Sequence, residues 1–375
     1  KMSNRQLPQS NLQKLKINSN ADEVGQWSAP IDWNVTAIHS ILLPDYSVMT
    51  FGTFGLLDKD KKDPRENKNI TITDGRTLKR DDGFHQWEGH DVNSGVDFDI
   101  WDFKKGFGEE SHELFSKPIV MDAFCSAVRV LDDERVLIVG GNKNVHTKIP
   151  DTQAGTMIYN LKNKIFEKSK NLNYKRWYGS LVRTGDDKLI IIGGTDHVAK
   201  KPSYIPEILD LKNLNDGWKV LEKAGSKNLF GEPVLKPKKN KEWFYPRSYL
   251  TSDGNIVGIS YNKIWMMDKN DDYRVKQTNE ISLETSGVSG LLIDKNPNHK
   301  SHDHNSEKLR LLTIGSPVGK TNSTVMIGKD IVYVFGGKQT GDEFSSSNKV
   351  LKIDFSDSSN PKVSKAKNML MARAD

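Results

Sequence analysis

The sequence predicts an all-β fold built from repeated blades of about four antiparallel strands, a β-propeller. Three observations predict it. A strand, a tight turn and a second strand recur along the chain, the second strand often ends in a glycine pair, and no long stretch carries helical periodicity. The two clearest copies lie side by side. In the first, Phe124-Cys125-Ser126-Ala127 leads to Asp133 and then to Val136-Leu137-Ile138-Val139-Gly140-Gly141. In the second, Arg176-Trp177-Tyr178-Gly179 leads to Asp186 and then to Leu189-Ile190-Ile191-Ile192-Gly193-Gly194. Counting back eight residues from Asp133 and from Asp186 reaches Cys125 and Tyr178, so the lone cysteine and a tyrosine hold equivalent repeat positions.

Residues 1–22 are polar and aperiodic, and they read as a flexible lead-in to a single propeller domain over 23–375. Trp27 and Trp33 mark the change of character. The first unit covers residues 36–55, with a tight turn at Pro44-Asp45. A fourth copy covers 243–260, a fifth 323–337, and a weaker one 286–315, which makes five clear units and a weaker sixth. Several units end in a later strand closed by an acid or amide, at Asp102, Asn160, Asp210, Asp268 and Asp354. Glycine pairs at 140, 193 and 336 fit a strand that leaves its sheet in a backbone conformation other residues disfavour. These units read as kelch-type blades, and the chain reaches residue 375 as another unit opens, so the domain is expected to be incomplete at its C-terminus.

Composition excludes some roles. With 35% hydrophobic and 28% charged residues, the chain of 375 residues has a globular composition. No apolar run approaches the roughly 18 to 20 residues of a membrane span. The net charge of +6 is spread among mixed lysines and acids, and the basic runs at 200–202 and 236–241 read as solvated loops, so no nucleic-acid partner is expected. A single cysteine forms no disulfide within the chain, and the polar first ten residues contain no signal peptide.

In a propeller the first strand of each blade lines the axis, so equivalent positions of successive blades face one mouth. Cys125 and Tyr178 are brought together by that rule. His39 and Arg247, each six residues before Asp45 and Asp253, form a second matched pair that could contact substrate. Residues 298–304 hold three histidines, and 81–90 hold two, but both tracts sit in polar insertions and read as loops rather than metal sites.

These motifs resemble the galactose oxidase and glyoxal oxidase family of copper-radical enzymes. Phe124-Cys125-Ser126-Ala127, the 175–180 segment and both glycine pairs carry the likeness, and the 24–30 and 39–45 segments look closest to the glyoxal oxidase branch. The resemblance implies a seven-bladed ring and a thioether joining Cys125 to the ring of Tyr178. It further implies that Tyr178 is a copper ligand and radical carrier, so that metal and phenol together take two electrons from an alcohol or aldehyde. It places Asp375 where the family carries an axial tyrosine, making Asp375 a candidate copper ligand. The family's two histidine ligands have no counterpart assigned within residues 1–375. No tryptophan follows Gly194 to stack on Tyr178, in keeping with the glyoxal oxidase side.

Two functions follow. The first is a monomeric extracellular or periplasmic copper oxidase that takes small aldehydes, primary alcohols or carbohydrate hydroxyls and dioxygen to hydrogen peroxide. The second is a non-catalytic kelch propeller that binds carbohydrate or protein after losing the copper ligands.

Overall fold

A computed structural model describes residues 18–26, 33, 35–54, 98–115, 121–142, 152–196, 199, 201–231, 242–281, 323–337 and 347–372. The described residues form five antiparallel sheets. Among the described residues, helices are limited to single turns, α1 (Ala21–Val24), α2 (Lys227–Phe230) and short 3-10 segments. The chain falls into two compact units, Lys1–Trp177 and Tyr178–Asp375.

The first unit holds two sheets. One runs β1 (Val35–Leu42), β2 (Val48–Phe54), β3 (Phe98–Trp101) and β4 (His112–Phe115), and the other β5 (Ala127–Val130), β6 (Arg135–Val139), β7 (Thr156–Asn160) and β8 (Ile165–Lys168), each in sequence order. Met49, Phe51, Phe98 and Ile100 of the first sheet pack in one core with Val136, Ile138, Met157 and Tyr159 of the second.

The second unit holds three. The third sheet joins β9 (Trp177–Arg183), β10 (Lys188–Asp196), β11 (Lys201–Pro202), β12 (Glu207–Asp210) and β13 (Lys219–Val220). The fourth runs β14 (Arg247–Leu250), β15 (Ile256–Ser260), β16 (Lys263–Asp268) and β17 (Arg274–Glu280), and the fifth β18 (Ser323–Ile327), β19 (Ile331–Phe335), β20 (Val350–Asp354) and β21 (Lys362–Lys365). Ile190 and Ile192 share a core with Ile256, Trp265 and Met267. From the other face of the fourth sheet, Val257, Ile259, Ile264 and Met266 pack with Val332, Val334, Leu351 and Ile353. A sheet covered on both faces needs apolar residues without alternation, which explains the unbroken runs of β6, β10 and β15. Each fully buried aliphatic contributes about 1.5–3 kcal/mol.

Polar residues punctuate every sheet. The side chains of Asp102, Asn160, Asp210, Asp268 and Asp354 each accept the backbone N–H two residues on, at 3.1, 3.0, 2.9, 2.9 and 3.0 Å. These are the acids and amide expected to close a later strand of each unit, and the bond turns the chain there. In the first hairpins, Asp45, Asp133 and Asp253 do the same for Ser47, Arg135 and Asn255. The residue after each turn aspartate takes a left-handed φ: 70° at Tyr46, 66° at Glu134, 62° at Asp187 and 84° at Gly254.

The basic run at 200–202 is corrected by the structure. Lys201-Pro202 forms β11 rather than a loop, pairing with Thr195 and Asp196, because β10 runs past β12 and leaves its end free to pair. The expected boundary at 22/23 falls inside α1. The weaker unit at 286–315, the histidine tracts at 298–304 and 81–90, and the basic run at 236–241 lie outside the described residues.

Candidate functional site

Cys125 and Tyr178 share more than a sequence position. Both hold a left-handed backbone, with φ of 58° and 68°. That region costs an ordinary L-residue about 1–2 kcal/mol and persists only where the surroundings enforce it. A third residue joins them. Tyr245, eight residues before Asp253, has φ of 41°. Its spacing from Asp253 is that of Cys125 from Asp133 and of Tyr178 from Asp186, whereas Arg247, two residues on, is matched to His39.

The glycine pairs build this position. Gly141 N–H donates to the Arg176 carbonyl at 2.9 Å, and Gly194 N–H donates to the Trp243 carbonyl at 2.7 Å. Arg176 and Trp243 each stand two residues before the left-handed tyrosine of the following sheet. A Cβ on Gly140 would lie 2.3 Å from the Arg176 carbonyl oxygen, and one on Gly193 would lie 2.6 Å from Pro246 Cγ. With φ of 68° at both, only glycine admits the approaching chain. Arg176 is fully buried, and its own N–H donates to the Gln153 carbonyl at 2.8 Å.

Tyr178 opens the second unit, half-buried on β9. Its carbonyl accepts the Tyr245 N–H at 2.9 Å. Its ring centroid lies 4.5 Å from that of Phe244, 5.2 Å from Tyr245 in an edge-on pair, and 6.1 Å from Trp243. The strand after Tyr178 supplies no tryptophan, as the sequence indicated, but the approach to β14 supplies one in Trp243. Phe244 and Trp243 were not anticipated as neighbours, since a contact between residues over sixty positions apart leaves no local signal.

Cys125 lies in the first unit and is 4% exposed. It sits in a turn in which Ser126 N–H donates to the Ala123 carbonyl at 3.0 Å and Phe124 N–H donates to the buried Asp122 carboxylate at 2.9 Å. The turn places Cys125 just ahead of β5.

His39 lies on β1 beside a bulge and stacks on Phe51 with centroids 4.6 Å apart. Its Nε2 is enclosed without a hydrogen-bond partner, and burial pushes the imidazole down to about 4, so it is neutral at physiological pH. Arg247 is on β14, paired with Ile259. Burial lowers its pKa from the ordinary value, while the nearby Tyr249 and Tyr245 work the other way. The two fall in different units. Asp375 lies outside the described residues. Among the described residues no three His, Cys, Asp or Glu side chains gather as metal ligands. No described helix is long and apolar enough to cross a membrane.

No family model matches the chain, and no curated protein matches it. Among solved structures it is similar to a fungal alcohol oxidase of the AA5 family in complex with copper, with a TM-score of 0.59 and 13% identity over 94% of this chain. The chain spans 58% of the length of that structure. At that identity the likeness is one of fold, and with the five antiparallel sheets it identifies the chain as an all-β protein of the β-propeller class.

Proposed function

We propose that the chain is a copper-dependent oxidase acting on small alcohols, aldehydes or carbohydrate hydroxyls, with Cys125 and Tyr178 as its protein-derived redox group. The observation that carries the reading is the shared left-handed backbone of these two residues at one repeat position. The similar fold of a copper-bound alcohol oxidase supports it.

A phenol oxygen at Tyr178 suits copper as a donor, and a buried thiol suits bonding to an electron-rich ring. Asp375, the other candidate donor, lies outside the described residues, so no chemical step is derived through the metal. Bound copper would supply one-electron redox chemistry beside the phenol. The chain's own part is to hold the Tyr178 ring among Trp243, Phe244 and Tyr245 and to shield it from water on that side. Arg247, two residues beyond Tyr245, offers a guanidinium to orient a substrate oxygen. His39, kept neutral, offers an enclosed imidazole nitrogen. The reading carries with it a monomer in an extracellular or periplasmic setting.

Peptide mapping after exposure to copper and air tests this. A C–S bond formed between Cys125 and Tyr178 removes the thiol hydrogen and one ring hydrogen, which dioxygen takes up as hydrogen peroxide. The expected result is a joined pair of peptides lighter by two hydrogens. Separate, unmodified peptides after copper loading of the full-length protein would overturn the reading.

A further inference from the structure

We propose that Tyr245 is a positioning residue for the Tyr178 phenol, an assignment that rests on reading Tyr178 as the reactive side chain. The two tyrosines occupy the same place in successive repeats, eight residues before Asp186 and Asp253. Both are left-handed, at 68° and 41°. In an extended strand the N–H of Tyr245 would point within its own sheet. The left-handed turn redirects it to the Tyr178 carbonyl, 2.9 Å away, so that the main chains are tied at the very residues whose side chains meet.

The rings then have little freedom. Tyr245 meets Tyr178 edge-on, at 5.2 Å between centroids and 81° between planes. Phe244 lies 4.5 Å from Tyr178 and 5.2 Å from Tyr245, so three rings close on one another. Tyr245 contacts Tyr178 through both backbone and ring. Edge-on packing of this kind fixes a preferred ring orientation as well as burying area. A phenol that must present its oxygen to one partner and an ortho carbon to another needs such an orientation fixed, because small misplacement is costly in rate.

The test uses the full chain labelled with 3-fluorotyrosine, the Tyr178 signal being identified by its loss in Tyr178→Phe. Tyr245→Gly removes the ring and suits the left-handed backbone, and Tyr245→Phe keeps the ring. The glycine variant is expected to sharpen the Tyr178 fluorine signal and move it toward that of free fluorotyrosine. It is also expected to lower the yield of copper-dependent Cys125–Tyr178 joining by about tenfold to a hundredfold. The phenylalanine variant is expected to restore both. Should the glycine variant not fold, Tyr245→Asn, which also tolerates this backbone, takes its place. An unchanged Tyr178 signal in the ring-deleted variant overturns the proposal. If wild-type protein shows no joining at all with copper, the oxidase reading falls, while the fluorine signal still decides whether Tyr245 positions Tyr178.

Discussion

A methyl group on Gly193 would lie 2.6 Å from Cγ of Pro246 and 2.8 Å from the Trp243 carbonyl oxygen. Gly193→Ala is therefore expected to destabilise the protein by about 2–4 kcal/mol, combining the steric conflict with the strain of a left-handed alanine. The nearest obstacle is a proline ring, so Pro246→Ala should recover part of the loss. At Gly140 the obstacle is the Arg176 backbone, 2.3 Å away, and Gly140→Ala should have no such side-chain rescue. Urea denaturation of Gly193→Ala, of Gly193→Ala combined with Pro246→Ala, and of Gly140→Ala checks both statements.

His39 makes stability depend on pH. Its imidazole is near 4 when folded and about 6.5 when unfolded, so the unfolded state binds the proton first. The sign follows: stability is fully present above pH 6.5 and is lost as pH falls toward 4. Between pH 7.5 and 5 this group should account for a loss of about 2 kcal/mol. The depressed carboxylates, Asp133 and Asp186 among them, act at lower pH. His39→Leu should flatten the curve over pH 5–7.5, and a wild-type slope in that variant would contradict the assignment.

His112 Nδ1 lies 2.7 Å from the Asp99 carboxylate, with side chains 6% and 0% exposed, and Trp33 packs edge-on against the imidazole at 4.7 Å. Removing one member of a buried pair costs more than removing both, because the survivor stays desolvated. His112→Leu is expected to cost about 3–5 kcal/mol, and the double variant with Asp99→Leu less than the sum of the single losses. Thermal and denaturant midpoints of the three variants measure the coupling.

Tyr178→Phe keeps the ring among Phe244, Tyr245 and Trp243 and removes the phenol oxygen. The variant should fold with a near-wild-type midpoint and, on the proposed oxidase reading, release no peroxide above background from alcohol or aldehyde substrates. Chelation of copper should silence the wild type without unfolding it. Activity in Tyr178→Phe comparable to wild type would remove this residue from the chemistry.

Local bonds were legible in the sequence and distant ones were not. Asp210 could be assigned to the end of a later strand because its bond to the Lys212 N–H spans two residues. The pairs at Gly140 and Gly193 were legible because a glycine pair recurs at one repeat position, and both Gly140 and Gly193 take a φ of 68°. The Asp99–His112 pair depends on the pairing of β3 with β4, and the ring cluster at Tyr178 depends on the approach of residues 243–245, so neither leaves a pattern in neighbouring residues. Tyr245 stands between these cases. Its spacing is local, but its meaning comes from the N–H it turns toward Tyr178.

The constant eight residues between the left-handed position and the turn aspartate make the inner strand a ruler. Strand side chains alternate with a period of two, so a one-residue insertion before Val182 cannot be absorbed silently. If the turn at Asp186 keeps its place, Tyr178 slips one notch and loses its bond to Tyr245. If Tyr178 keeps its place, Val182, 5% exposed beside Ile190 and Ile192, moves out of phase with the core. A length change in β9 therefore disturbs either the Tyr178–Tyr245 bond or the core around Val182, whichever end of the strand stays in place.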